Sequence, residues 1–326
     1  MTDRPSDSGS RALSPQDLRL LLAVGSTGSF TAAAHSLGIT QSAVSRAVRE
    51  CERKAGAVLF ERGRTGARPT AAGQVALVHA RQILRQLDLL GAEVRGAAAG
   101  SLSGTLRIAA FRRAAARLLP PALARLAARY PALRPQVLIV PELGRGTAGE
   151  VADGHADLAI STLATDGKAL PGLVTRELLR EPFLLAAPAG HPDPRALPLI
   201  DWPENCSSYT RAWWARQQWL PAATIDADDD GVVLSMVAQG LGIAILPRLT
   251  LADPPVGVTV TSLGDAPPVL RIVCVTTRAT ASSIAVRELL RELQATASLS
   301  KHLPHRAPAL PGDPRRGSAS SARLGN

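Results

Sequence analysis

The chain has 326 residues, 46% of them hydrophobic, which is more than one compact domain usually holds and enough to bury real cores. Thirty-seven Lys and Arg stand against 27 Asp and Glu, and the net charge of +10 points to a polyanionic partner such as nucleic acid. Cys51, Cys206 and Cys274 are odd in number and far apart, which argues against a disulfide framework or a zinc site. No signal-like N-terminus and no apolar run of about 18 residues occurs, so a cytoplasmic protein is expected.

Residues 1 to 13 are polar and rich in Ser and Gly, and are expected to form a disordered tail. Three helical patterns and a charged Gly/Arg stretch follow, over residues 14 to 70. The strongest signal in the chain lies here, in SFTAAAHSLGITQSAVSRAVREC from Ser29 to Cys51. Ser29 can cap a short helix, Ala32 and Ala33 are small enough for a close crossing, and Gly38 suits a turn that needs a left-handed conformation. Ile39 is expected to plug that turn from inside, and Thr40 to cap a second helix. On that helix Val44, Ala47, Val48 and Cys51 share an apolar face, while Ser42, Ser45, Arg46 and Arg49 fall on the opposite arc with Gln41 at its start. Such a face carries the donors and acceptors needed to read base edges and phosphates in a major groove. An ordinary amphipathic helix would show the polar face without the caps, the Gly turn and the small crossing residues.

Residues 18 to 74, LRLLLAVGSTGSFTAAAHSLGITQSAVSRAVRECERKAGAVLFERGRTGARPTAAGQ, resemble the DNA-binding domain of LysR-type transcriptional regulators. The resemblance implies a mainly α winged helix-turn-helix over 14–70, with Gln41, Ser42, Ser45 and Arg46 as base-reading candidates and Thr31 as a phosphate contact. Members of the family often carry Pro where this chain has Ser42. LFERGRTGARPT resembles the family's wing, a small two-stranded turn whose Arg62, Arg64 and Arg68 can reach phosphates or a narrow minor groove.

A long helix is expected over 70–98, started by Thr70 after Pro69. Leu77, Ala80, Leu84, Leu87, Gly91 and Val94 recur at spacings of three and four, a heptad seam widened by Ala76, Ile83 and Leu90, with Arg81, Arg85 and Asp88 elsewhere. About 29 helical residues would span roughly 43 Å, too long for a small domain to cover. The resemblance implies a linker helix that forms a homodimer and commonly a homotetramer, with RNA polymerase as a further candidate partner.

AAAGSLSG at 97–104 looks like a hinge, set at 99–104 beyond the long helix. Beyond it, short apolar strands (TLRIAA, QVLIVPEL, DLAIS, FLLAAP and VLRIVCVTT) alternate with helical segments such as SSIAVRELLRELQAT, the pattern of an α/β sheet with crossovers. LRIAAF at 106–111, RLLPPALARLAARYPALRPQVLI at 117–139, DGHADLAI at 153–160 and MVAQGLGIAILPRL at 236–249 resemble the family's effector domain, similar to periplasmic solute-binding proteins of type 2, and place it over 105–298. This implies two α/β subdomains, 105–181 plus 269–298 and 182–268, with a small-molecule effector in the cleft between them and no resident cofactor.

Strand ends and helix starts facing such a cleft supply the effector-binding candidates Phe111, Arg112, Arg113, Ser161, Thr162, Ser207, Ser208 and Asp229. Arg112 and Arg113 suit a carboxylate, whereas Asp228, Asp229 and Asp230 disfavour an anion; the sequence leaves both open. Trp202, Tyr209, Trp213, Trp214 and Trp219 can form an aromatic pocket wall or pack a helix on its core. No catalytic motif is visible, so an enzyme is not expected. A transporter's binding protein would not need residues 14–98. Residues 299–326, with four prolines and five basic residues against Asp313, are expected to form a disordered basic tail.

Overall fold

The computed structural model describes residues 12–63, 66–99, 101–165, 167–202, 208–264 and 266–300. Most of both expected tails lies outside this set, as do Arg64, Cys206 and Ser207. At the two margins Leu13 packs on the N-terminal core, and the last helix continues through Ser300.

Three helices build the N-terminal domain: α1 (Pro15–Thr27), α2 (Phe30–Leu37) and α3 (Gln41–Ala55). Ser14, Ser29 and Thr40 cap them in turn, each accepting a backbone N–H three residues on, which satisfies a donor the helix itself cannot pair. Gly38 turns the chain at φ 67°. Leu21, Val24, Ala33, Val44, Val48 and Cys51 are fully buried between the helices. The close crossing is made by Ala33 and Ala34, with Ala32 exposed. Ile39 does not plug the turn: it is 45% exposed, and only its backbone N–H turns inward, to the Ala34 carbonyl.

The wing is the antiparallel pair β1 (Phe60–Gly63) and β2 (Gly66–Pro69). Two bonds from the Leu59 and Phe60 N–H groups to the Glu52 carboxylate pin it to α3. Ala67 N–H donates to the Gly28 carbonyl at 2.7 Å. A Cβ on Gly66 would stand 2.3 Å from that same carbonyl oxygen, so only glycine lets the wing approach α1 this closely.

Thr70 then caps α4 (Ala71–Ala99), 29 residues long. Its seam divides. Leu77 is buried in the N-terminal core and Ala80 is fully buried, whereas Ile83, Leu87, Leu90 and Val94 are exposed at spacings of 4, 3 and 4. The opposite side of α4 lies on the C-terminal domain: Arg81 donates to the Asp153 carbonyl, Gln82 to the Ala152 carbonyl, and Arg85 to the Asp157 carboxylate and the Thr105 carbonyl. At the expected hinge, Ser101 N–H closes back on the Gly96 carbonyl and Leu102 is buried in the next core, so the chain turns tightly here.

The C-terminal domain is built on a curled sheet in the order β10 (Val258–Ser262), β6 (Leu173–Pro188), β11 (Val269–Thr277), β5 (Leu158–Ala164), β3 (Gly104–Ala110), β4 (Leu133–Ile139), with β9 (Ala244–Pro247) pairing β6 as well. Strands β4, β3 and β5 run parallel, and β11 returns antiparallel to β5. Strand β6 crosses from one subdomain to the other. Its first part pairs β11; its last part pairs β9 and β10. Helices α5 (Arg112–Arg117), α6 (Leu119–Arg129) and α10 (Ile284–Ser300) share a core with Leu106, Ile108, Leu158 and Ile272, while α7 (Gly146–Ala152) covers the other face over Ala109, Ala159 and Val273. The second subdomain adds the parallel pair β7 (Leu199–Asp201) and β8 (Ala223–Asp226) with α8 (Ser208–Trp214) and α9 (Asp230–Ala238). Trp202, Trp213 and Trp214 are buried in its cores, which answers the question their clustering raised in favour of packing.

Candidate DNA-reading and effector sites

Helix α3 presents its N-terminal turn to solvent. Gln41, Ser42, Arg46 and Arg49 are exposed, as are Thr31 on α2 and Arg68 on β2. Ser45 is not on that surface: it is 7% exposed, and its hydroxyl accepts from Gln41 Nε2 at 3.3 Å. The small side chain lets the helix settle deeper against its neighbours than its wheel position suggests. Arg49 Nε turns back to the Ser45 carbonyl. Arg53 and Lys54 are held by Glu50 and Asp17, leaving Arg46 as a cation of α3 for which no carboxylate partner is found among the described residues. Arg62 stands opposite Ala67 in the wing ladder, and Glu61 opposite Arg68.

In the C-terminal domain the carboxyl ends of β4, β3 and β5 lie side by side, the edge where ligands collect in open α/β sheets. Arg112 and Asp229 meet there at 2.7 Å, bringing α5 of the first subdomain against the cap of α9 in the second. Phe111 and Arg113 are not open to this edge. Phe111 is fully buried in the core, and Arg113, next to Arg112 but turned about 100° around α5, stacks its guanidinium 4.3 Å over the Phe111 ring. Arg113 reaches Glu181 on the crossing strand at 3.5 Å, and the Leu249 N–H donates to the same carboxylate at 2.6 Å. Burial raises the Glu181 pKa above the usual carboxylate value, against the pull of Arg113 and that N–H. Arg117 pairs with Asp253, so all three arginines of α5 hold carboxylates of the crossing strand or the second subdomain.

Ser161 and Thr162 do come together, on a residue the sequence reading passed over. The Glu142 carboxylate accepts from the Ser161 hydroxyl at 3.0 Å and from the Thr162 N–H and hydroxyl at 2.8 and 2.9 Å. Glu142, Glu181 and Asp157 escaped notice as isolated charges, and the sequence places Arg85 only off the heptad seam. The available signal was position: an acid just past a parallel strand, or charges inside an apolar run, need a partner. The Ser208 side chain is outside the described set. Cys51 and Cys274 are buried thiols, and desolvation with the nearby Asp17 charge pushes Cys51 up to about 12. Among the described residues no cluster of three or more metal-ligating side chains occurs, and no helix is long and apolar enough to cross a membrane.

A winged helix-turn-helix carried on a long helix, joined to a two-part α/β domain with a cleft, defines a one-component regulator that reads DNA and senses a small molecule. Residues 15–74 match the model of the bacterial regulatory helix-turn-helix protein of the lysR family, and residues 99–298 match the LysR substrate binding domain. The probable HTH-type transcriptional regulator LrrA of Synechococcus elongatus is 36% identical over 257 residues, covering 76% of this chain and 85% of that one. Full-length LysG from Corynebacterium glutamicum with bound effector Arg aligns with a TM-score of 0.63 at 21% identity, over 88% of this chain and 99% of that one. Full-length CbnR in complex with its target DNA aligns at 0.61 and 19%, over 87% and 100%. The chain belongs to the LysR family of transcriptional regulators, proteins that bind DNA through the helix-turn-helix domain and a small-molecule effector through the C-terminal domain, and that are not enzymes.

Proposed function

We propose that the chain acts in the cytoplasm as a homodimer, or a pair of dimers, on a dyad-symmetric operator, and that its effector enters the cleft bridged by Arg112 and Asp229. The exposed start of α3 carries the first part of this reading. Gln41, Ser42 and Arg46 face a base edge, Ser45 orients Gln41 from below, and Thr31, Arg49 and Arg68 meet phosphates together with Arg62 and Arg64 of the wing. The exposed line Ile83, Leu87, Leu90 and Val94 supports pairing of two α4 helices, which would place two readers about one helical turn of DNA or a multiple apart. Ser161 and Thr162 border the effector space and Asp229 closes it from the second subdomain. The domain limits follow: DNA reading in 14–70, pairing in 70–98, sensing in 105–298.

Sedimentation of the intact chain at micromolar concentration tests the assembly. The wild type should sediment as a dimer or larger, and Leu87→Glu with Leu90→Glu should shift it to monomer and abolish dyad footprinting. A wild-type monomer, or a variant that stays dimeric, contradicts the assignment.

A further inference from the structure

Glu142 lies three residues beyond β4, at the same edge as Arg112 and Thr162. Oε1 of its carboxylate accepts from the Thr147 N–H at 2.9 Å and from the Thr147 hydroxyl at 2.6 Å, a hydroxyl that also stands 2.9 Å from the Ile160 carbonyl. Oε2 accepts from the Ser161 hydroxyl, the Thr162 N–H and the Thr162 hydroxyl. Thr147 is fully buried and Ser161 is 3% exposed. Gly146 lies against the group: φ is +48° there, a conformation that suits glycine, and a Cβ would stand 2.9 Å from Oε1 and 3.2 Å from the carboxyl carbon. Donors converging from two chain segments on both oxygens form a receptor for a carboxylate. A cavity of about 220 Å³ opens beside it, lined in part by Glu142, Ser161 and Thr162.

We propose that Glu142 is a resident anion of the effector cleft, filling a carboxylate receptor that would otherwise bind an acid, so that the physiological effector presents a neutral or cationic group at this edge. The inference rests on the reading of this cleft as the effector site. The receptor is satisfied by the chain itself: Arg145, which pairs with Asp153, and Lys168 also line the cavity, but a second carboxylate would find the Ser161, Thr162 and Thr147 donors already filled. Glu142 thereby acts as a specificity-determining residue by exclusion.

Glu142→Ala tests it, with acetate as the probe. The variant removes the carboxylate and takes that acceptor from the Ser161 hydroxyl, the Thr162 N–H and hydroxyl and the Thr147 N–H, while the Thr147 hydroxyl keeps the Ile160 carbonyl, so its melting temperature should fall by several degrees. Acetate should restore it in a saturable way at matched ionic strength, whereas the wild type and Glu142→Gln, whose side chain still fills the receptor, should not respond. If Glu142→Ala folds poorly, recovery of folded protein on refolding with acetate in place of chloride is the readout. An Ala variant that answers acetate no better than the wild type, or refolds no better with it, overturns the proposal. Operator binding separates this from the underlying reading: acetate that stabilises Glu142→Ala without altering its operator complex supports the receptor and removes the cleft's role in effector sensing.

Discussion

The Asp229 carboxylate serves two partners at once: Oδ2 stands 2.7 Å from Arg112 Nε across the cleft, and Oδ1 accepts from the Gly231 and Val232 N–H groups at the start of α9. The roles are separable. Asn caps a helix as well as Asp does, while Ala costs about 1 kcal/mol. Arg112 is largely exposed, and an exposed ion pair contributes little. Asp229→Asn should therefore melt within about a degree of wild type and Asp229→Ala measurably lower, yet both should show the same altered response to effector. A normal response in both variants would remove the Arg112–Asp229 pair from the sensing cleft.

Arg85 ties the linker helix to the sensing domain through Asp157, an almost fully buried pair in which the carboxylate also accepts from the Arg107 N–H. Removing one member of such a pair strands a charge, at about 3–5 kcal/mol. Urea denaturation of Arg85→Ala should show a loss of that order. An unchanged midpoint would mean that α4 does not rest on this domain in solution.

The wing depends on Gly66. With φ at +112° and the Gly28 carbonyl 2.3 Å from any added Cβ, Gly66→Ala must move β2 away from α1. If the wing contacts phosphates, as proposed, affinity for operator and scrambled duplex should fall together. Undiminished affinity would show that wing position is irrelevant to binding.

Acid stability of the N-terminal domain should carry the mark of Asp17. Burial works to raise its pKa, but the hydrogen bond from Lys54 and those from Ser14 outweigh it and hold the value below the usual 3.8. A carboxylate depressed in the folded state contributes stability above its unfolded pKa, and that contribution is lost as pH falls through the folded value. The stability difference between wild type and Asp17→Asn should thus be constant from neutral pH down to about pH 5 and shrink below pH 4. Parallel acid limbs would contradict this.

Where local chemistry decides structure, it was readable in the sequence. Ser29, Gly38, Thr40 and Thr70 act at the helix ends where their side chains or backbone freedom placed them, and VLRIVCVTT is β11 residue for residue. The first part of β6, LVTRELLREP, escaped because Arg176, Glu177, Arg180 and Glu181 break its apolar pattern; there the ladder with β11 holds the strand, and Arg271 pairs with Glu177 across it. Ser45 shows the limit of a wheel, and Ile39 the limit of reading a turn from one apolar residue. Burial depends on how far a helix sinks between its neighbours, which no periodicity encodes. Glu142, Arg85 and Glu181 find their partners 5 to 72 positions away, and only the folded sheet edge makes them neighbours.

The most direct test of the account is competitive binding of the intact chain to its own upstream duplex and to a scrambled duplex, with wild type and Arg46→Ala compared at fixed salt. Arg46 is exposed near the start of α3 with no carboxylate partner found among the described residues, and in the proposed reading it donates two hydrogen bonds to guanine O6 and N7. That contact is worth on the order of 1–3 kcal/mol of discrimination. Arg46→Ala should lower operator affinity by roughly 5- to 150-fold while scrambled-duplex affinity falls much less. Equal losses on both duplexes would show that Arg46 only touches phosphate and that α3 does not read sequence through it.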